Sequence, residues 1–281
     1  MFQSLYQANK TLVERHAPSP VPTETNTIPT IMSIDLTTNN LNVSPPRNVY
    51  ETTAQDDWSG VDADIVVTDP PFGISFSGKA SNYNRDESRV VDGYVEWERE
   101  RYAERISETV DVAATNLRES GQLLMFSGWN NSNVIHSVLD DHPEFTLQGK
   151  MYWAYNFAPY CSRRPAHNVY EIFWATTDDN WTFDNECGCD HCQEGEANLS
   201  MMEIPRDYHK NIPKYPTRLP VEVVETLLEH FTKPGDVVFD PLAGSGMVGI
   251  VAEMIDRQYV LGDLNTNGKR VYEELRSHYG L

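Results

Sequence analysis

FDPLAGSGMVG, Phe239 to Gly249, places Gly244, Gly246 and Gly249 at the spacing G-x-G-x-x-G between the strand-like run VVFD (237–240) and a helical stretch from Gly246 to Met254. Glycines so spaced let a chain turn tightly from strand to helix and let a ligand approach the helix N-terminus. Asp263 closes the next strand-like run, YVLGD (259–263), where an acid can bind ribose hydroxyls. Two ligand classes fit: a dinucleotide, or a nucleoside without phosphates such as S-adenosylmethionine. Asp240-Pro241 precedes the glycines and sets a carboxylate where a phosphate would sit, which repels pyrophosphate and suits an amino or sulfonium group. Only 18 residues follow Asp263, too few for the remaining strands of a dinucleotide domain. The rest of the sheet is therefore expected upstream. An ordinary tight turn would need neither the three spaced glycines nor the acid.

Upstream, strand-like and helical segments alternate. IVVT (65–68), QLLMFS (122–127), KMYWAY (150–155) and VYEIFWAT (169–176) have strand character. Tyr94–Leu117, a segment through Val134 and Leu139 ending at His142-Pro143, a helix carrying Val224, Leu227, Leu228 and Phe231, and Lys269–Ser277 have helical spacing. Pro220 suits the first position of the third of these. The alternation predicts an α/β fold with a mainly parallel sheet and ligands beyond the carboxyl ends of its strands. Residues 17–30, rich in Pro and Thr, resemble a surface arm.

The run DIVVTDPPFG (64–73) leaves its strand through Asp69-Pro70-Pro71-Phe72. An exocyclic amino group on a base is a poor nucleophile, because its lone pair delocalises into the ring. The Asp69 carboxylate and the Pro70 carbonyl can each accept one N–H and draw that nitrogen toward tetrahedral geometry. Pro71 fixes its own φ and restricts Pro70, holding the carbonyl outward. Phe72 offers a stacking face worth about 1–3 kcal/mol, against an extrusion cost of a few kcal/mol. Alone, the tetrapeptide could equally be a stiff loop.

Taken together, Asp69-Pro70-Pro71-Phe72 followed by Asp240-Pro241-Leu242-Ala243-Gly244-Ser245-Gly246 and Asp263 resembles the S-adenosylmethionine-dependent amino-methyltransferases of DNA, which modify adenine N6 or cytosine N4. The order of the motifs resembles the permuted beta class. KYPTRLP (214–220) is similar to that class's His-Pro-Thr-x-x-Pro segment, with Tyr215 in place of His and Thr217 retained. Leu242 stands where Phe is common, and Phe72 where Tyr is. The resemblance covers about residues 64–176 and 210–278 and implies a circularly permuted, Rossmann-like, doubly wound sheet. It implies Asp69, Pro70, Pro71 and Phe72 as catalytic residues. Asp240 to Gly246, Asp263 and Thr217 are implied as the cofactor site, with an acidic adenine contact among Glu51, Asp56 and Asp57. Asp at the head of the tetrapeptide leans toward adenine, and the PTRLP segment toward cytosine. An RNA methyltransferase, a nicotinamide oxidoreductase and a non-enzymatic zinc-bearing DNA-binding module are the alternatives.

The resemblance also implies that the region between the motif sets reads the target. NFAPYCSRRPAHN (156–168) carries Tyr160, Arg163, Arg164 and His167, suited to stacking and to phosphate or guanine contacts, although a solvated loop would look alike. The domain plan expected is an arm over 1–50 and a methyltransferase domain over 51–281, with a target-recognition and cysteine-containing insertion over 155–210. The polar block DDNWTFDNECGCDHCQEGEANLS (178–200) is expected to leave the core. In it Cys187, Cys189 and Cys192, with His191 and the distant Cys161, could hold a structural zinc. A second knuckle is lacking, so free or redox-active thiols and a disulfide stay open.

The chain of 281 residues has 42 acidic against 22 basic residues, net charge −20, with 7 Lys and 15 Arg. Such a surface repels polyanions at low salt. At about 1 M salt the Debye length falls to roughly 3 Å, and acidic side chains serve mainly to hold water. The balance is therefore expected to suit a saline cytoplasm, an ordinary acidic protein being the alternative. Neither a bilayer-spanning run nor a signal segment is evident, so a soluble cytoplasmic protein acting on double-stranded DNA, as monomer or homodimer, is expected.

Overall fold

The computed structural model describes residues 48–49, 60–73, 96–156, 162–163, 165–185, 200–207, 212–213, 215, 217–263 and 266–281. Among these residues eight strands form one sheet: β1 (Asn48–Val49), β2 (Ala63–Thr68), β3 (Leu117–Ser127), β4 (Thr146–Ala154), β5 (Val169–Thr176), β6 (Met201–Glu203), β7 (Val237–Asp240) and β8 (Gln258–Gly262). Among the described residues five α-helices accompany them: α1 (Tyr102–Asn116), α2 (Ser132–Asp141), α3 (Val221–Phe231), α4 (Met247–Met254) and α5 (Thr266–Tyr279). The strand order is β1-β8-β7-β2-β3-β5-β4-β6, and only the pairings of β5 with β3 and β4 are antiparallel among the described residues. The expected mainly parallel, doubly wound sheet is present.

Alternation along the central strands divides the core. Ile65 and Val67 of β2 pack with Val224, Leu227 and Leu228 of α3, Ile250 and Val251 of α4 and Leu275 of α5. Val66, one residue out of phase, packs with Ile106, Val110 and Ala113 of α1 and Ile135 and Leu139 of α2 on the opposite face. All six residues of β2 are buried, as a strand covered by helices on both faces requires.

Topology places the crevice. From β7 the chain crosses through α4 to β8, and from β2 it crosses through α1 to β3 on the other side. β7 and β2 are neighbours, in register Ile65 to Val238 and Val66 to Phe239, so their carboxyl ends open side by side at a topological switch point.

Several local expectations change. Glu98 is extended and a single 3₁₀ turn, Arg99–Arg101, precedes α1, so the regular helix starts later than Tyr94. Leu117 leaves α1 in an extended conformation and begins β3, which is longer than QLLMFS. Pro220 is the N-cap of α3 and not its first helical residue, with ψ 144°. The polar block does not leave the core at once: Trp181 and Phe183 both pack on Trp174, and Phe183 also on Phe231. The Asp184 N–H donates to the His230 carbonyl at 2.7 Å. After the block the chain returns to the sheet as β6, parallel to β4.

Candidate active site

The glycine loop has the geometry its composition requires. Gly244 and Gly246 adopt φ of 53° and 75°, the left-handed region that side chains disfavour, and Gly246 caps α4. A Cβ at Gly249 would stand 2.6 Å from the Leu261 side chain, so the third glycine lets α4 lie close on β8. Backbone bonds fasten the turn: the Ala243 N–H donates to the Gly262 carbonyl and the Gly246 N–H to the Ala243 carbonyl, each at 2.7 Å.

Two carboxylates hold this loop. The Leu242 N–H donates to Asp240 Oδ1 at 3.1 Å, and the Gly244 N–H donates to Asp263 Oδ2 at 2.7 Å. Asp240 is buried, and burial pushes its carboxyl up to about 8. The Leu242 N–H and the Thr68 hydroxyl oppose the rise, while the nearby Asp263 and Asp69 carboxylates add to it. Tyr215, at the position of the family's usual His, faces Gly244 so that a Cβ there would stand 3.5 Å from its ring, and burial beside Asp263 raises its phenol.

Asp69 follows the carboxyl end of β2. Burial raises its carboxyl to about 7, and the Arg206 guanidinium pulls it back down. Its Oδ1 is buried and has no hydrogen-bond partner among the described residues; the same is true of the phenolic oxygen of Tyr102, which feels the Asp69 charge. The next residues are clamped in place. Asn131 Nδ2 donates to the Phe72 carbonyl at 2.5 Å, and the Gly73 N–H donates to Glu96 Oε1 at 2.8 Å. The Phe72 ring lies 5.2 Å from that of Tyr170, and a Cβ at Gly128 would stand 2.9 Å from Phe72.

The two motifs meet in one cleft. Asp69, Thr217, Leu219, Asp240, Leu242, Ala243, Gly244, Ser245, Met247 and Val248 line it. Two acids, Asp69 and Asp240, line this small volume with Asp263 beside it; burial drives both lining acids toward the neutral form, and the charges of Asp263 and Asp69 add to the effect on Asp240. Such a cleft favours a cation and disfavours a phosphate.

A family model described as DNA methylase matches residues 63–274, most of the chain. This chain belongs to that DNA methylase family. The methylase is 22% identical over 232 residues to the DNA adenine methyltransferase YhdJ of Escherichia coli K12, a match covering 72% of each chain. Among solved structures, the M1.HpyAVI–SAM complex superposes with TM-score 0.58 at 17% identity, over 81% of the methylase and 97% of that chain. The cytosine-N4-specific PvuII DNA methyltransferase does so with TM-score 0.59 at 15% identity, over 84% and 96%. At these identities the two structures show the shared fold.

The proposed catalytic and cofactor residues of the methylase converge on or beside the cleft; the remaining candidates are placed less fully. Arg163 is exposed. Tyr160, Arg164, Cys161, Cys187, Cys189, Cys192 and His191, and the acids Glu51, Asp56 and Asp57, lie outside the described residues. Among the described residues no cluster of three metal-ligating side chains occurs, and no helix is long and apolar enough to cross a membrane. Sequence reasoning passed over two side chains beside the site. Trp129, next to Gly128 and 54% exposed, stacks at 4.4 Å on His167. Arg206 sits among three aromatic rings. A lone Trp among Gly and Asn, and an Arg between Pro and Asp, carry no periodic signal.

Proposed function

We propose that the methylase transfers a methyl group from S-adenosylmethionine to the exocyclic amino group of a base extruded from double-stranded DNA, adenine by preference, within a specific recognition sequence. The observation that carries this reading is the meeting of Asp69 and Asp240, from opposite ends of the chain, in one cleft at the switch point. S-adenosylmethionine, when bound, supplies an electrophilic methyl carbon on a positively charged sulfur that keeps the bonding electron pair as the methyl leaves. Asp240, Asp263, Thr217 and the loop Pro241–Gly246 would hold it. The acidic cleft suits its cationic groups, and its binding would restore the Asp240 carboxylate to the ionised form.

On the other side of the cleft, the Asp69 carboxylate and the Pro70 carbonyl accept the two amino N–H groups, with Pro71 keeping the carbonyl in place. Phe72, braced on Tyr170, receives the base. As the nitrogen gains the methyl it sheds one proton, for which Asp69 is the adjacent acceptor. Arg163, Arg164 and Tyr160 are assigned to DNA contact, and the stacked Trp129–His167 pair presents a further aromatic face. We assign residues 51–281 to the methyltransferase domain, 155–210 to target recognition and 1–50 to an arm, and place the reaction in the cytoplasm.

Adenine rests on Asp at the head of the tetrapeptide and on the name of the YhdJ relative. A cytosine reading is supported by the fold shared with the PvuII enzyme and by Pro216-Thr217 and Pro220. Labelled S-adenosylmethionine with unmethylated DNA, followed by hydrolysis and chromatography, separates the two. N6-methyladenine is the expected product. N4-methylcytosine would replace adenine in this account, and label in RNA alone would overturn it.

A further inference from the structure

The short strand β6 sets the segment after it against the end of β4. The Ile204 N–H donates to the Ala154 carbonyl at 3.1 Å, and the buried Trp153 indole donates back to the Ile204 carbonyl at 2.8 Å. Two residues on, the Arg206 guanidinium carbon lies 4.8 Å from the Trp153 ring centroid, 4.5 Å from that of Tyr155 and 5.0 Å from that of Tyr170. A guanidinium among three aromatic faces is stabilised as a cation in a place that strips much of its water, so its field reaches farther than that of an exposed arginine. Tyr170 is the ring on which Phe72 rests. Asp69, with one oxygen buried and unpartnered among the described residues, lies within that field.

We propose that Arg206 is a positioning residue that keeps the Asp69 carboxylate ionised to accept the amino group and braces the Phe72 platform through Tyr170. The inference rests on the reading of Asp69 as the amino-group acceptor. A protonated carboxyl keeps one acceptor oxygen but cannot take up the proton that the amino nitrogen sheds, so the anion is the competent form. The other ionisable groups coupled to Asp69 are the Tyr170 phenol from β5, the Tyr102 phenol from α1 and the Asp240 carboxyl at the end of β7, and none of them brings a positive charge. Arg206 is the cation that acts on it among the described residues.

The experiment is the pH dependence of single-turnover methyl transfer at saturating S-adenosylmethionine, where the cofactor occupies the Asp240 side, for the parent, Arg206→Met, Arg206→Lys and Asp69→Ala. Met fills the cage without charge, and cofactor binding by each variant checks that it is folded. The acidic limb of Arg206→Met is expected to move up by about one pH unit, with Arg206→Lys near the parent. Coincident limbs for parent and Arg206→Met, with only a lower plateau, would overturn the inference, as would a shift in Arg206→Lys equal to that in Arg206→Met. If Arg206→Met does not bind cofactor, the Lys comparison with the parent decides alone. Asp69→Ala activity near the parent's would instead defeat the underlying reading of Asp69.

Discussion

Asp240→Asn isolates the electrostatic cost of the cofactor cleft. In the folded, ligand-free protein the Asp240 carboxyl keeps its proton up to about pH 8, against the ordinary 3.8 expected for an unfolded chain. Between these values the folded state binds the extra proton, so unfolding releases it and stability falls as pH rises. One such group contributes a slope of at most about 1.4 kcal/mol per pH unit. Over the four or so units involved, this amounts to at most about 6 kcal/mol of stability that is present below pH 4 and lost by pH 8. Asparagine keeps an oxygen for the Leu242 N–H and so preserves the turn. Urea denaturation of parent and variant from pH 5 to 9 measures the difference in slope, in which the other titrating groups largely cancel. The variant is expected to lose less stability with rising pH while failing to bind S-adenosylmethionine. Equal slopes would show that Asp240 is ionised throughout and that the cleft carries no strained acid.

Cofactor affinity of the parent should rise with pH through about 7 to 8, because Asp69 and Asp240 must give up protons to accommodate a cation; calorimetry in buffers of different ionisation enthalpy would count the protons released. Trp129→Ala should weaken DNA binding by about 1–3 kcal/mol, roughly 5- to 150-fold, without altering cofactor affinity, as read by fluorescence anisotropy. Gly246→Ala forces a Cβ into φ of 75° at the cap of α4 and should destabilise the protein by about 1–2 kcal/mol and weaken cofactor binding, read by thermal melting with and without S-adenosylmethionine. If the net charge of −20 is an adaptation to salt, the melting temperature should climb from low to multimolar KCl.

What was legible in the sequence was what local chemistry encodes. VYEIFWAT and VVFD are strands over the residues expected, because β-branched and aromatic runs between turn residues leave little choice. The glycine loop was legible because two positions demand left-handed backbone and a third demands closeness. Periodicity, in contrast, carries no information on strand direction, so the reversal of β5 emerges only from its pairing with β3 and β4. β6 escaped because three residues, MME, beside a polar block offer no pattern, and their strand character comes from bonding to β4. The same limit hid Arg206, whose role depends on rings from β4 and β5. The adjacency of Asp69 and Asp240 was expected from paired motifs; its physical cause is the lateral pairing of β2 with β7.

The central claim is that Asp69, Pro70 and Phe72 receive the amino group opposite the cofactor cleft. Its most direct test is single-turnover transfer of labelled methyl from S-adenosylmethionine to unmethylated duplex DNA by Asp69→Ala, with cofactor and DNA affinities measured on the same preparation. The account predicts that both ligands still bind and that methyl transfer falls by at least 100-fold, a loss on the order of that for a single transition-state hydrogen-bonding group. Transfer at the parent rate with both ligands bound would contradict it.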